Sequence, residues 1–539
     1  MSGRWRDATL VRLFRGSITY PAGRSLWSRL RDGCGLDRIG LLALLIANLC
    51  FAKLWTELAD YSSADSFFFF APPPRTAYLA VWINILLWSA GTWGLLHWLR
   101  KRQSPRMSAI AFWVGLLLVL NAVREVLGTH FAIFRAGLLS AVGMRGAEIL
   151  IGVSLMLLIV AVWRFAARLR ALAVSVLFLT SPLVAFQFAA MTWRLMRPAE
   201  GLYTDQAPAP FLKQVPGTPR VVWIIFDEMD YRLSFLERPG SLCMPAFDGF
   251  SRESVQLSNA LSPADATSAS VPALLHGSKA REFQPTDPRT AEVFYEDSVR
   301  AEVWNSNQTI FATARRMNLN SAVIGWYLPY CRVLDDLSVC EWNPMSRGMN
   351  STGSGFGEIL VNQNRRLFET SLLSPFGQSL TVKEQVRSIE SSVRHARRAV
   401  SDERLGLVFL HFPVPHAPAV YDRFRQTMTK SNSPISGYID GLALADRVLG
   451  QLRGEMEQCG SWDKTTVLVT ADHSFRASAA LDGKNDPRVP YVLKLAGQSR
   501  GARYDRVFHT VRARALLEAI LSGRLRSPEQ VIGWMGQGS

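Results

Sequence analysis

The sequence predicts an α/β protein in two parts: a bundle of about five transmembrane helices, then a sandwich of helices on both faces of a mostly parallel sheet. Three observations carry this. The chain of 539 residues is 48% hydrophobic, with 16 Trp and 29 Phe, and its apolar residues crowd toward one end. The remainder holds three short, wholly apolar runs, each ending in acidic or histidine residues. Helical periodicity fills the spaces between them, notably over 382–400 and 438–456.

Runs of roughly 20 mostly apolar residues are long enough to span a bilayer. They cover Ile39–Leu58, Ala77–Leu99, Ala109–Leu127, Ile149–Phe165 and Ala171–Trp193. The third contains Asn121 and runs into Arg124 and Glu125, so it reads equally as a buried core helix. Arginines crowd residues 1–38, and Arg100, Lys101, Arg102 and Arg106 follow the second run, whereas the loops near 58–75 and 128–147 are poorer in Lys and Arg. The positive-inside rule then places the N-terminus in the cytoplasm. Five spans would put everything after Trp193 outside it, in the periplasm or extracellular space, with the protein integral to the plasma (inner) membrane. The basic stretch of 1–38 lies too far from the first run to resemble a cleaved signal, which predicts a retained anchor.

The net charge of +16 suggests nucleic acid as a partner, but many of the arginines lie in those cytoplasmic segments. No zinc-finger, RNA-binding or helix-turn-helix pattern accompanies the charge, so topology accounts for it and no nucleic-acid partner is expected. Of six cysteines, Cys243, Cys331, Cys340 and Cys459 fall in the exported part. An even number in an oxidising space favours a Cys331–Cys340 disulfide across a short polar loop, with Cys243–Cys459 as the remaining pair. Four free thiols are the alternative.

A proline-rich linker over 194–217 separates the membrane region, 39–193, from a domain over 218–525 and a tail over 526–539. The run Val221–Phe226 has the length of a buried parallel strand and ends in Asp227-Glu228. Leu405–Leu410 leads into His411 and the loop Pro413-Val414-Pro415-His416-Ala417-Pro418, and Thr465–Thr470 leads into Ala471-Asp472-His473. In open parallel sheets the ligand crevice lies beyond the carboxyl ends of the strands. Between the first two runs, Thr267 heads a stretch of small residues with Pro272, an Ala-Leu-Leu run and a Gly277 stop, as expected of a short helix. A threonine there is either a helix cap or a hydroxyl nucleophile beside N–H groups that favour an anion.

Taken together, Asp227-Glu228, Thr267 to Gly277, His416-Ala-Pro, Asp472-His473 and Arg488-Val-Pro490 resemble the sulfatase-like branch of the alkaline phosphatase superfamily over roughly 218–525. With the preceding spans, the chain looks most like the membrane-anchored phosphoethanolamine transferases and lipoteichoic acid synthases. That resemblance implies an alkaline-phosphatase-like α/β/α sandwich. It implies a divalent metal, Zn²⁺ or Mn²⁺, held by Asp227, Glu228, Asp472, His473 and Thr267, with Thr267 also the nucleophile. His416 would contact the transferred group or protonate the leaving oxygen, and Lys484 and Arg476 would bind the substrate anion. His411 would orient ligands, or is simply a buried strand-end histidine.

The implied activity is transfer of a phospho-group from a membrane lipid, through a phosphothreonine at Thr267, to an envelope lipid or glycan. One alternative is hydrolysis of phosphodiesters or sulfate esters; another is a non-catalytic membrane scaffold or sensor. The chain departs from the formylglycine sulfatases, because Ser270-Val271-Pro272-Ala273-Leu274 lacks the arginine of the Cys/Ser-x-Pro-x-Arg signature. Thr267 is therefore expected to act unmodified. A further departure is Ser474-Phe475-Arg476 after the Asp-His pair, where the family commonly has glycine.

Overall fold

A computed structural model describes residues 38–59, 68–126, 171–196, 204–213, 217–296, 300–304, 306–345, 355–369, 379–429 and 437–537, with scattered residues between 146 and 169. The chain divides into two compact units. The first comprises 1–60, 73–198 and 353–376, and the second 61–72, 199–352 and 377–539.

In the first unit the described helices are α1 (Arg38–Cys50), α2 (Ala52–Ala59), α3 (Arg75–Arg102), α4 (Pro105–Val126) and α5 (Ser181–Met196). Among the described residues two helical stretches, Arg75–Arg102 and Ala171–Trp193, are long and apolar enough to cross a membrane. A third exists if the pair Ile39–Cys50 and Ala52–Leu58, bent by 58°, counts as one span. Among the described residues this gives two or three spans where five were expected. In α4 the apolar stretch is Ile110–Ala122, too short to span, and most of the run from Ile149 lies outside the described residues. A helix over Phe356–Glu369 belongs to this unit and packs on α3 through amides. Asn84 donates to Gln363 (3.0 Å), which donates to the Ala77 carbonyl (2.9 Å). Paired amides satisfy one another where apolar surroundings offer no water.

The second unit is built on an eight-stranded sheet. Its strands are β1 (Arg220–Phe226), β2 (Val255–Leu257), β3 (Ser321–Trp326), β4 (Val339–Asn343), β5 (Leu407–Phe412), β6 (Thr465–Thr470), β7 (Tyr491–Lys494) and β8 (Ala502–Tyr504), in the spatial order 8-2-7-6-1-5-3-4. The five strands from β6 to β4 run parallel, and β7 is antiparallel to both neighbours. All residues of β1, β3, β5 and β6 are buried, which is why they read as continuous apolar runs. Trp223 meets Phe409 edge-on at 5.3 Å in the core.

One helical layer contains α7 (Ser379–Ser401) and α8 (Gly437–Gln458), packed on each other; another contains α6 (Thr267–His276) with the helices Ile310–Arg316 and Ala513–Leu521. A final helix, Pro528–Gly536, starts with a capping box between Ser527 and Gln530 and buries Val531 and Met535. Register decides where chemistry gathers: Ile225 of β1 pairs with Thr470 of β6 and with His411 of β5. Asp227, His411 and Asp472 therefore emerge at one edge of the sheet.

Cys331 and Cys340 form a disulfide, as expected. The pairing Cys243–Cys459 is not made; both thiols are free and exposed. Cys459 closes the end of α8, where its sulfur contacts the Ser461 hydroxyl at 3.2 Å.

Candidate active site

The turn after β1 leaves Asp227 fully buried, and the turn after β6 does the same for Asp472 and His473. Donor atoms of these three residues all lie within 4.8 Å of one another. Nε2 of His473 is 3.5 Å from Asp472 Oδ2 and 3.7 Å from Asp227 Oδ1. Thr267, the first residue of α6, completes the group, with Oγ1 3.4 Å from both Asp227 Oδ1 and His473 Nε2. Ser270, one turn on, donates to the Asp472 carbonyl and ties α6 to the β6 turn. Thr267 makes no cap bond; Ala266 is the N-cap, so the hydroxyl is free for the cluster.

The remaining bonds orient the donors. His473 donates from Nδ1 to the Ser474 carbonyl (2.9 Å), which leaves the Nε2 lone pair facing the carboxylates. Asp472 Oδ1 accepts the N–H groups of Glu228 (3.0 Å) and His473 (2.8 Å), leaving Oδ2. Asp227 Oδ2, Asp472 Oδ2 and His411 Nε2 are all buried without a hydrogen-bond partner. Buried polar atoms are normally paired, and three orphans converging in one place is the arrangement a cation satisfies.

The charge balance agrees. Burial, followed by the nearby Asp472 and Glu228 carboxylates, holds Asp227 well above the usual carboxylate range. Burial works to raise Asp472 as well, but His473, His411 and the Glu228 N–H outweigh it and keep that group low. Two buried acids so close cannot both ionise cheaply without a positive charge between them. The residues present thus fit a divalent metal.

His411 enters the site more directly than its place in an apolar strand suggests. Its Nε2 is 3.9 Å from Asp227 Oδ2, and its Nδ1 bonds to the buried Tyr330 hydroxyl at 2.8 Å. Burial lowers its pKa to about 4, against the pull of the Asp472 carboxylate. Tyr330 reaches it because Gly325 has no side chain; a Cβ there would meet the Tyr330 ring at 2.2 Å. The available signal in sequence was a histidine closing an apolar run five residues before His416.

His416 is partly exposed and donates from Nδ1 to the Ala417 carbonyl at 2.6 Å. Its ring lies 5.2 Å from that of Trp326, and burial lowers its pKa. Glu228 sits one residue past Asp227 in a left-handed conformation, φ 66°, which turns its carboxylate to Arg476 (3.2 Å) and away from the three-residue donor group. Lys484 is not brought to the cluster either: its ammonium bonds both oxygens of Glu237, at 3.0 and 2.9 Å.

In this α/β sandwich two parallel strands deliver two acids and a histidine to one edge, where a helix-heading threonine joins them in a set suited to a divalent cation. The model of the family described as Sulfatase matches residues 219–513, more than half of the chain, and the protein belongs to that family. Enzymes of this family are metal-dependent. Among solved structures, the chain is similar to the phosphonate monoester hydrolase of Agrobacterium radiobacter, with 13% identity, 56% of this chain and 74% of that one covered, and a TM-score of 0.39. It is also similar to the PsFucS1 sulfatase of Pseudoalteromonas sp. (14% identity, 57% and 68% covered, TM-score 0.38). A third is a Vibrio parahaemolyticus protein of the alkaline phosphatase superfamily (12% identity, 60% and 72% covered, TM-score 0.37). No curated protein matches the chain.

Proposed function

We propose that this enzyme is a membrane-anchored transferase that moves a phospho-group, of phosphoethanolamine or glycerophosphate type, from a lipid to an envelope lipid or glycan through a covalent phosphothreonine at Thr267. The observation that carries the reading is the Thr267 hydroxyl, heading a buried helix and lying 3.4 Å from both Asp227 and His473. The apolar helices Arg75–Arg102 and Ala171–Trp193 support a substrate that resides in the bilayer.

Asp227, Asp472 and His473, with Thr267, would hold the metal, and the set of two carboxylates, an imidazole and a hydroxyl suits Zn²⁺ or Mn²⁺. The metal supplies Lewis-acid stabilisation of the phosphoryl charge and favours the ionised hydroxyl. In the first half-reaction Thr267 gives up its hydroxyl proton to water and Oγ1 forms a bond to phosphorus, the phosphorus–oxygen bond to the lipid breaks, and His416, as the imidazolium, gives the departing alkoxide a proton from Nε2. In the second, the acceptor hydroxyl loses its proton to His416 and attacks phosphorus, and the bond to Thr267 breaks. The N-terminus of α6 offers backbone N–H groups to the anion, and Arg476, 54% exposed beside Glu228, adds a cation at the rim. The Glu228 N–H, bonded to Asp472 Oδ1, would orient that carboxylate toward the metal.

The test is exposure of the purified full chain to phospholipid labelled in its headgroup, followed by peptide mass spectrometry. The expected result is a mass addition on Thr267 that disappears when a glycan or lipid acceptor is added. Turnover that persists in Thr267→Ala, with no adduct in the parent protein, sinks the reading; label released equally without an acceptor assigns a hydrolase instead.

A further inference from the structure

Residues 61–72 lie in sequence between the helices α2 and α3, yet they belong to the second unit. Phe68 and Phe69 are buried there, at 0% and 8% exposure. Phe68 packs edge-on against Phe283, centroids 5.4 Å apart, and Phe69 stacks on Tyr327 at 4.4 Å and 16°. The backbone is fastened as well. Arg332, itself buried, donates to the Phe68 carbonyl (2.9 Å), and the Met345 N–H donates to the Phe69 carbonyl (2.9 Å). Phe70 and Met345 form a parallel bridge. Arg332 is in turn fixed by the Pro288 carbonyl (3.0 Å), by the face of Trp342 (4.9 Å) and by its position beside the Cys331–Cys340 disulfide.

What this segment touches leads to the active site. Tyr327 has φ 71°, a left-handed conformation uncommon for an aromatic residue. The Phe69 stack and a bond from its N–H to the Asn343 carbonyl (3.1 Å) hold it there. Tyr327 follows Trp326, whose ring lies 5.2 Å from His416 and 6.1 Å from His411. Both aromatics share one anchor, because Trp326 pairs with Asn343 in the sheet and the Tyr327 N–H bonds to the Asn343 carbonyl, so a shift of Tyr327 strains the end of the strand that carries Trp326.

We infer that Phe68–Phe70 is a strap, supplied by the connection between the first membrane-region helices, that positions the Trp326–Tyr327 wall beside His416. The catalytic unit is then incomplete without this piece. Phe69 is a positioning residue, acting on His416 through Tyr327 and Trp326.

Two measurements on the full chain in detergent, with Cys34, Cys50, Cys243 and Cys459 replaced by alanine, test this. In the pair Phe69→Cys and Tyr327→Cys, copper-phenanthroline oxidation should yield a disulfide-linked peptide joining positions 69 and 327. Absence of the link, with Phe69→Cys open to a hydrophilic maleimide, overturns the contact. In Phe69→Ala, the rate at which diethylpyrocarbonate modifies His416, relative to the exposed His509 as internal reference, should rise about threefold or more as the wall opens locally. Phe69→Tyr should restore the parent ratio. A merely structural role would raise both histidines together, so an unchanged ratio overturns the positioning. Should Phe69→Ala fail to fold, Phe69→Leu keeps the bulk without the ring and decides the same ratio.

Discussion

The ring of Tyr438 lies flat on that of Phe475, centroids 3.7 Å apart and planes 7° from parallel. Tyr438 heads α8, whereas Phe475 belongs to the turn after β6 that carries Asp472 and His473. The same tyrosine reaches the turn after β1. Its hydroxyl donates to the Glu228 carbonyl (2.9 Å) and accepts the Asp230 N–H (2.8 Å). One side chain therefore clamps both loops of the proposed metal centre, and it holds Glu228 in a left-handed conformation that costs on the order of 1 kcal/mol on its own.

Tyr438→Phe keeps the stack and removes the two hydrogen bonds, leaving a buried N–H and carbonyl unpaired. The expected cost is about 1–3 kcal/mol of stability, read as a lower denaturant midpoint with unchanged slope. Metal affinity, measured by competition with a chromophoric chelator, should fall about 10-fold or more. A variant with parent affinity would show that the clamp does not govern the site.

Stripping the metal from the holo protein with a chelator should lower the melting temperature, and added Zn²⁺ or Mn²⁺ should restore it. Metal at a hundredfold excess over its dissociation constant contributes about 2.7 kcal/mol if the unfolded chain does not bind it. In Asp472→Ala the response to added metal should vanish. An equal metal-dependent shift in that variant would place the ion elsewhere.

Much of this was legible in the chain for a definite physical reason. Strands β1, β5 and β6 are buried on both faces and so appear as unbroken apolar runs, and the polar residues that end them mark the edge where Asp227, His411 and Asp472 meet. Helix α6 starts at Thr267 and ends at Gly277 in a left-handed cap, as the Pro and Gly positions implied. What composition could not show is the direction of a side chain or the company it keeps. Glu228 is adjacent to Asp227, yet a single left-handed residue sends its carboxylate to Arg476. Tyr330 on His411, Tyr438 on Phe475 and Phe69 on Tyr327 join segments far apart in sequence, and no local period encodes such pairs.

The Cys331–Cys340 disulfide closes a loop whose ends are nine residues apart. Removing it as Cys331→Ala with Cys340→Ala should destabilise the catalytic unit by about 2–3 kcal/mol through the entropy returned to the unfolded chain. Chemical denaturation with and without reductant checks this, and the double variant should no longer respond to reductant. A reductant effect that survives in the double variant would point to some other thiol.

Asp446, buried on α8, accepts the Phe247 N–H at 2.8 Å. Burial raises its pKa to about 6, against the pull of the Phe247 and Ala246 N–H groups. Folded protein therefore keeps this proton to a higher pH than the unfolded chain does, and stability falls as pH rises from about 4 to about 6 and is then level. The loss is about 3 kcal/mol for a shift of this size. Asp446→Asn keeps the acceptor oxygen without the charge, so the difference in unfolding free energy between variant and parent should grow over that interval in favour of the variant. A constant difference across pH 4 to 7 contradicts the shift.

Gly441, in the second turn of α8, faces the loop that carries His416. A Cβ at this position would lie 2.8 Å from Pro415 Cβ and 3.1 Å from its Cα and carbonyl oxygen. Contacts this close are not tolerated, and Pro415 is a ring whose backbone cannot rotate away about φ, so Gly441→Ala must move either the helix or the loop. The helix is the stiffer partner: Tyr438, one turn earlier, is pinned by Phe475, Glu228 and Asp230, and Ile439, Leu442 and Leu444 are buried in the core. The loop should yield, displacing His416 from the Trp326 ring. Since His416 is assigned the proton transfer while the metal donors lie on other loops, Gly441→Ala should lower kcat about 10-fold or more and leave metal content unchanged. Elemental analysis beside turnover separates the two, and a variant that loses metal in step with activity would show that α8, rather than the loop, had given way.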